Sequence, residues 1–112
     1  MNHYILLHQT EPWIRRTTLQ AYLNDGYSVF FEDARTLLVY KRTDPVDTQT
    51  EATLLRLIIR SFRRSIRHSA VLDLSDLMNK HIARLTDNHC SSLKFHDPFN
   101  DELKQLIVRT LV

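Results

Sequence analysis

The stretch from Tyr27 to Tyr40, YSVFFEDARTLLVY, decides the fold. It contains two runs rich in β-branched and aromatic residues, Tyr27 to Phe31 and Leu37 to Tyr40, which are typical of β-strands. The polar residues 32 to 36 separate the runs by a distance that suits a hairpin connection. The stretch therefore predicts an antiparallel hairpin, and the rest of the chain has to pack against it.

A strand and a helix are predicted upstream of the hairpin. The continuous apolar run Tyr4 to Leu7 within His3 to His8 indicates a short buried strand. A helix follows, with Thr10 as its N-cap and Gly26 as its stop, because glycine adopts the left-handed conformation at little cost. Its expected inner face consists of Trp13, Ile14, Leu19, Tyr22 and Leu23.

Three helices are predicted downstream, after an exposed connector from Arg42 to Thr50. Thr50 is expected to cap the first, which runs from about Glu51 to His68 and has apolar residues at spacings of three and four. The second runs from Ser75 to Leu85, and Asp97 and Pro98 open the last. Leu93 to Phe95, around Lys94, predict a short extra strand.

The order of these elements predicts an α+β fold, in which a small antiparallel sheet (β-α-β-β) packs against three further helices. A length of 112 residues with 43% apolar side chains suits a single compact domain that spans residues 1–112. Gly26 is the only glycine in the sequence, and a Gly-rich phosphate loop or a dinucleotide-binding turn needs several. Both motifs are therefore excluded.

Arginines form the most unusual feature of the sequence. Arg56, Arg60, Arg63 and Arg67 are spaced so that they fall within about 60° of one another around a helix, and Arg64 flanks them. Residues 51–68 carry a charge of +4, whereas residues 1–50 and 69–112 each carry −1. The whole net charge therefore originates in this helix, on a side that should lie away from its apolar face.

This arginine stripe predicts a binding or regulatory module that engages an anionic partner, because guanidinium groups match phosphate and carboxylate geometry. Nucleic acid is the first candidate, although no strand interleaves basic and aromatic residues and no zinc-finger spacing is present. An interaction or inhibitor protein that binds an acidic protein surface is the alternative. A merely solvated helix face is the structural alternative, and the absence of acidic residues after Glu51 argues against it.

Metal and catalytic chemistry are not predicted. His81, His89, Cys90 and His96 are zinc-type ligands, but their spacing matches no familiar zinc site, so no metal or other cofactor is expected. His8-Gln9-Thr10 and His89-Cys90-Ser91 resemble the paired His-x-Thr/Ser motifs of the two-histidine phosphoesterases. The resemblance covers six residues, and Glu11 and Pro12 stand where that family has an apolar strand, so it does not assign the family or an enzymatic activity.

The cellular setting is expected to be the cytoplasm, without a membrane. Cys90 is the only cysteine, and the apolar run Tyr4 to Leu7 is too short for a signal peptide. Arg56 and Arg60 interrupt the most apolar segment, so no membrane span is expected. Self-association is a further hypothesis, because Ile59, Ile66, Val108 and Val112 exceed what a small core is expected to cover.

Overall fold

The computed structural model describes residues 1–65 and 69–87, together with Glu102 and Gln105. Its strands are β1 (His3–His8), β2 (Ser28–Glu32), β3 (Thr36–Lys41) and β4 (Ala70–Asp73), and its helices are α1 (Pro12–Asn24), α2 (Thr48–Ser65) and α3 (Ser75–Asp87). The strands form one antiparallel sheet in the order β2-β3-β1-β4. The α+β class is thereby confirmed, as is the predicted hairpin. None of the described helices has the length and the apolar character needed to cross a membrane.

The larger core lies between the sheet and the helices α2 and α3. Alternate side chains of the central strands point to this face, among them Tyr4, Leu6 and Leu38. Helix α2 covers them with Leu54, Leu55, Ile58, Ile59 and Phe62. All these side chains are buried, so this face holds most of the apolar stabilisation of the described structure.

The opposite face of the sheet is covered more thinly. Ile5, Leu7, Leu37 and Val39 are buried there, and only half-buried residues such as Leu19 and Tyr22 of α1 pack against them. The predicted inner face of α1 is therefore wrong in part: Trp13, Ile14 and Leu23 are exposed. Their apolar character indicated a core face, but only Leu19 and Tyr22 of the predicted set pack on the sheet.

Strand β4 lies between the two predicted helices that end at His68 and begin at Ser75, where no element was predicted. Ala70 and Leu72 are buried while Val71 and Asp73 are exposed, which is the alternation of a strand with one covered face. The four residues of β4 pair with β1, and Leu74 continues the contact by donating its N–H to the carbonyl oxygen of Tyr4 (2.8 Å). The strand was missed because it is too short for its period to stand out.

Two predicted helix caps are also wrong. Helix α2 begins at Thr48, because Asp47 rather than Thr50 accepts the N–H of Gln49 (3.1 Å) and the hydroxyl hydrogen of Thr50 (2.7 Å). Those two hydrogen bonds lower the pKa of the Asp47 carboxyl. At α1 the cap position is occupied by Glu11, whose side chain makes no capping hydrogen bond, and not by Thr10.

Three further predictions involve residues outside the described part of the chain. They are the short strand near Lys94, all of the last helix except Glu102 and Gln105, and the end of the long helix from residue 66. Of the four apolar residues behind the self-association hypothesis, only Ile59 is described. It is 5% exposed and packs in the core, so it supplies no surplus apolar surface.

Candidate functional site

The described arginines of the stripe lie together at the surface of α2. Arg56, Arg60, Arg63 and Arg64 are all exposed, and Arg67 lies outside the described residues. Their side chains line a groove of about 580 Å³, whose other walls are Phe30, Phe31 and Ile59. The predicted stripe is therefore not isolated from the apolar part of the protein: it borders one edge of the core, next to strand β2.

The two phenylalanines reach this groove because β2 contains a β-bulge. Val29 pairs with Val39 and Phe31 pairs with Leu38, so Phe30 is an extra residue with no partner of its own. A bulge interrupts the strict alternation of a strand and redirects its side chains. Phe30 and Phe31, although adjacent in sequence, both pack against the α2 side of the sheet as half-buried residues.

Phe30 and Phe31 are the site residues that the sequence analysis missed. They were assigned to a strand, and strict alternation would have sent one of them to the other face. The available signal was the Phe30-Phe31 pair itself, two large aromatic residues in succession on an edge strand. The register shift that explains it depends on the pairing with β3 and cannot be read from β2 alone.

Arg63 differs from the other three arginines because it has partners inside the protein. It forms an ion pair with Asp33, and its guanidinium lies 5.1 Å from the centre of the Phe31 ring, a cation–π distance. Asp33 is held in turn by the hairpin connection, where its Oδ1 accepts the N–H groups of Arg35 (2.8 Å) and Thr36 (2.7 Å). The β2–β3 turn therefore fixes one end of the groove.

The other three described arginines of the groove differ from Arg63 in this respect. Among the residues that the structure describes, no carboxylate lies within ion-pair distance of Arg56, Arg60 or Arg64. The one acidic residue of α2, Glu51, is buried and accepts hydrogen bonds from Arg42 Nε (3.1 and 3.2 Å) and from the Tyr4 hydroxyl (2.7 Å). The groove is consequently a concentration of positive charge beside an aromatic surface.

The histidines do not build a comparable site in the described residues. His8 is buried, with its Nδ1 3.2 Å from the Thr36 hydroxyl and its ring edge-on to Phe62. These contacts are those of a buried residue that packs in the core. His89, in the second of the two His-x-Thr/Ser motifs, lies outside the described residues.

His81 is the only residue of the four zinc-type ligands that is described. It is buried on α3, where its Nε2 lies 3.0 Å from Glu102 Oε2. Burial lowers the pKa of His81 despite the opposing effect of Glu102, while hydrogen bonds from Lys80 and His81 lower the pKa of Glu102. Within the described ranges no three histidine, cysteine or carboxylate side chains are grouped to hold a metal.

Comparison with known proteins identifies no relative from which the role of the groove could be inferred. No protein-family model matches the chain, and neither a curated protein nor a solved structure matches it. The class that the coordinates define is a small α+β domain with a four-stranded antiparallel sheet and a basic, partly aromatic groove on one edge.

Proposed function

We propose that this protein is a non-enzymatic nucleic-acid-binding module that engages phosphates through the groove on α2. The observation that carries the proposal is the conjunction of three exposed arginines, Arg56, Arg60 and Arg64, that have no carboxylate partner among the described residues, with Phe30 and Phe31 in the same groove. We further propose a regulatory role in the cytoplasm, a setting that the single cysteine of the sequence favours.

The physical case begins with charge. Exposed arginines without a carboxylate partner leave a positive potential that attracts a polyanion and steers its approach. The guanidinium fork donates two parallel hydrogen bonds to a phosphate and keeps its charge at all relevant pH values. Contacts of this kind position a nucleic acid without reading its sequence, so we expect binding that depends steeply on salt and weakly on sequence.

The test compares two double variants that each remove two positive charges. The groove variant, Arg60→Gln with Arg64→Gln, removes two positive charges that line the groove. The control variant, Lys41→Gln with Arg84→Gln, removes two positive charges that do not line it. We expect the groove variant to lose at least about tenfold in affinity for a labelled oligonucleotide, because each charge-assisted hydrogen bond contributes about 1.5 kcal/mol. The slope of log affinity against log salt should become shallower by about 1.4 for a single strand, since two phosphate contacts are lost.

The control variant should bind within about twofold of the wild type, because neither Lys41 nor Arg84 lines the groove. Equal losses in the two variants would show that net charge alone attracts the oligonucleotide, and would contradict a site on α2. Thermal unfolding of both variants, which change exposed or half-buried side chains, checks that the fold is retained.

An acidic protein surface is the second candidate partner. The half-buried Phe30 and Phe31 form an apolar wall in the groove, which suits an apolar side chain flanked by carboxylates on a protein. A protein partner of this kind would bind the groove specifically and with a modest salt dependence. Oligonucleotides of unrelated sequence would compete poorly with that partner for the groove. The groove variant should lose either partner, so competition by unlabelled oligonucleotides of unrelated sequence is the measurement that distinguishes the two candidates.

A further inference from the structure

Two further depressions continue the groove around the β2–β3 turn. The first, of about 380 Å³, is lined by Asp33, Ala34, Arg35 and Arg63, and it shares Arg63 with the groove. The second, of about 410 Å³, shares Asp33 and Ala34 with the first and extends to α1. Because neighbouring depressions share lining residues, the three are adjacent and mark one path along the surface.

This path passes from one face of the sheet to the other. It starts on the side covered by α2, crosses the turn that follows β2, and ends beside Arg15, Arg16 and Leu19 of α1. Helix α1 packs on the opposite face of the sheet from α2, as the two core clusters show. A ligand that occupied the whole path would therefore have to bend around the hairpin.

Positive charge recurs along the path beside two lining carboxylates, Glu32 and Asp33, which are both in ion pairs. Arg35 and Arg16 are exposed, and no described carboxylate lies within ion-pair distance of either. Arg15 is half-buried and engaged, because it donates a hydrogen bond to the carbonyl oxygen of Thr36 (3.1 Å) and lies 3.7 Å from Glu32. Along the path beyond the groove, Arg35 and Arg16 are thus the arginines that can contact a ligand without first losing a described partner.

From this geometry we infer that the site takes single-stranded nucleic acid, which runs from the α2 groove past Arg35 to Arg16. The inference rests on the proposed function and adds the form of the ligand. A single strand bends at each nucleotide, whereas a duplex is stiff over many tens of base pairs. Only the flexible form can follow arginines that lie on both sides of a hairpin.

The aromatic wall of the groove supports the same ligand. Unpaired bases stack on aromatic side chains with little regard to sequence, and the bases of a duplex are not available for that contact. Phe30 is half-buried and its ring makes an edge contact with Tyr40, with centroids 6.4 Å apart, which holds it beside the arginines. Phosphates on Arg56, Arg60 and Arg64 and a base against Phe30 form one local subsite, and Arg35 and Arg16 extend it.

The experiment varies ligand length and form. Fluorescence anisotropy is measured with oligothymidylates of about 4 and about 16 nucleotides, the range of site sizes in single-strand-binding domains, and with a duplex of the longer length. The proteins are the wild type, Arg16→Gln with Arg35→Gln, Arg60→Gln with Arg64→Gln, and the control Lys41→Gln with Arg84→Gln.

We expect the path variant, Arg16→Gln with Arg35→Gln, to bind the long strand about tenfold more weakly and the short strand within about twofold of the wild type. Its salt slope with the long strand should become shallower by about 1.4. The groove variant should lose both strands, and the wild type should bind the duplex more weakly than the long strand.

Two outcomes would overturn the inference in distinguishable ways. If the groove variant loses both strands but the path variant binds the long strand like the wild type, or if the duplex binds at least as tightly as the strand, the path is not used and the proposed function stands. If the wild type binds neither strand nor duplex, the proposed function fails, and the inference fails with it.

Discussion

The two ends of helix α2 differ in whether their charged side chains are buried and paired or exposed. Near the start, Glu51 is 1% exposed and pairs with Arg42, while the hydroxyl of buried Tyr4 donates to the same carboxylate. Towards the other end, Arg60 and Arg64 stand at the surface with no carboxylate in ion-pair distance among the residues described. The charge at the first end is part of the packed interior, whereas the charges at the second end are accessible to a ligand.

This difference shows which charges the fold requires. Burial raises the pKa of Tyr4, and the hydrogen bond to the Glu51 carboxylate raises it further, so the hydroxyl remains a donor. The Glu51 carboxylate likewise raises the pKa of Arg42. These three groups satisfy one another, whereas Arg56, Arg60 and Arg64 make no ion pair with the described part of the chain. Substitution of these three arginines should therefore alter binding rather than folding.

The largest expected effect is on stability, at the buried end. Replacement of Arg42 by Met leaves the Glu51 carboxylate buried without its cation, which should lower the free energy of unfolding by about 3 kcal/mol. The matched change Arg56→Met, on an exposed arginine of the groove, should alter it by less than about 0.5 kcal/mol. Urea denaturation of both variants measures the contrast, and similar values for the two would refute the division of α2 into a structural and a binding end.

A smaller effect is expected where the two kinds of charge meet, at Arg63. Asp33→Asn keeps the oxygen that accepts the N–H groups of Arg35 and Thr36, but it removes the charge that pairs with Arg63. The released arginine should raise oligonucleotide affinity about fivefold and steepen the salt slope by about 0.7.

The control for this variant is Asp76→Asn, which removes the same charge from an exposed side chain in the first turn of α3. It should leave oligonucleotide affinity within about twofold, because Asp76 does not line the groove. Anisotropy titrations at two salt concentrations compare the pair. An unchanged affinity in Asp33→Asn would mean that Arg63 does not bind the ligand.

The smallest effect concerns His81, a buried titratable group that, like Glu51, has a charged partner. Its pKa is lowered by burial, so below the ordinary value of 6.5 the unfolded chain binds a proton that the folded chain resists. Stability should therefore fall as the pH drops below 6.5, and level off once the folded form is also protonated. Denaturation curves measured across this pH range should show a smaller fall in stability for His81→Gln than for the wild type. An identical pH dependence in the two proteins would show that His81 does not cause the fall.

The sequence predicted the fold to the extent that its periodic patterns were long. The hairpin and helix α2 carry clear patterns, and both lie within a few residues of where they were expected. Strand β4 was missed because four residues between two helices carry too little pattern, and its identity depends on pairing with β1. The exposure of Trp13 on α1 was missed because apolar character alone does not show which face packs.

The site was predicted in part. The spacing of the arginines placed Arg56, Arg60, Arg63 and Arg64 on one surface, because helical geometry is fixed by local sequence. Phe30 and Asp33 could not be assigned to that surface, since their positions follow from the bulge and from a turn far away in the chain. Contacts between distant segments arise from tertiary packing, which no local pattern encodes.

The bulge at Phe30 also protects the molecule. Strand β2 is at the edge of the sheet, where an unbroken row of backbone N–H and C=O groups would invite another chain to add a strand. The extra residue interrupts that row and increases the local twist, so a straight strand cannot continue the ladder there. The irregularity that turns both rings towards the arginines thereby also discourages aggregation along that edge.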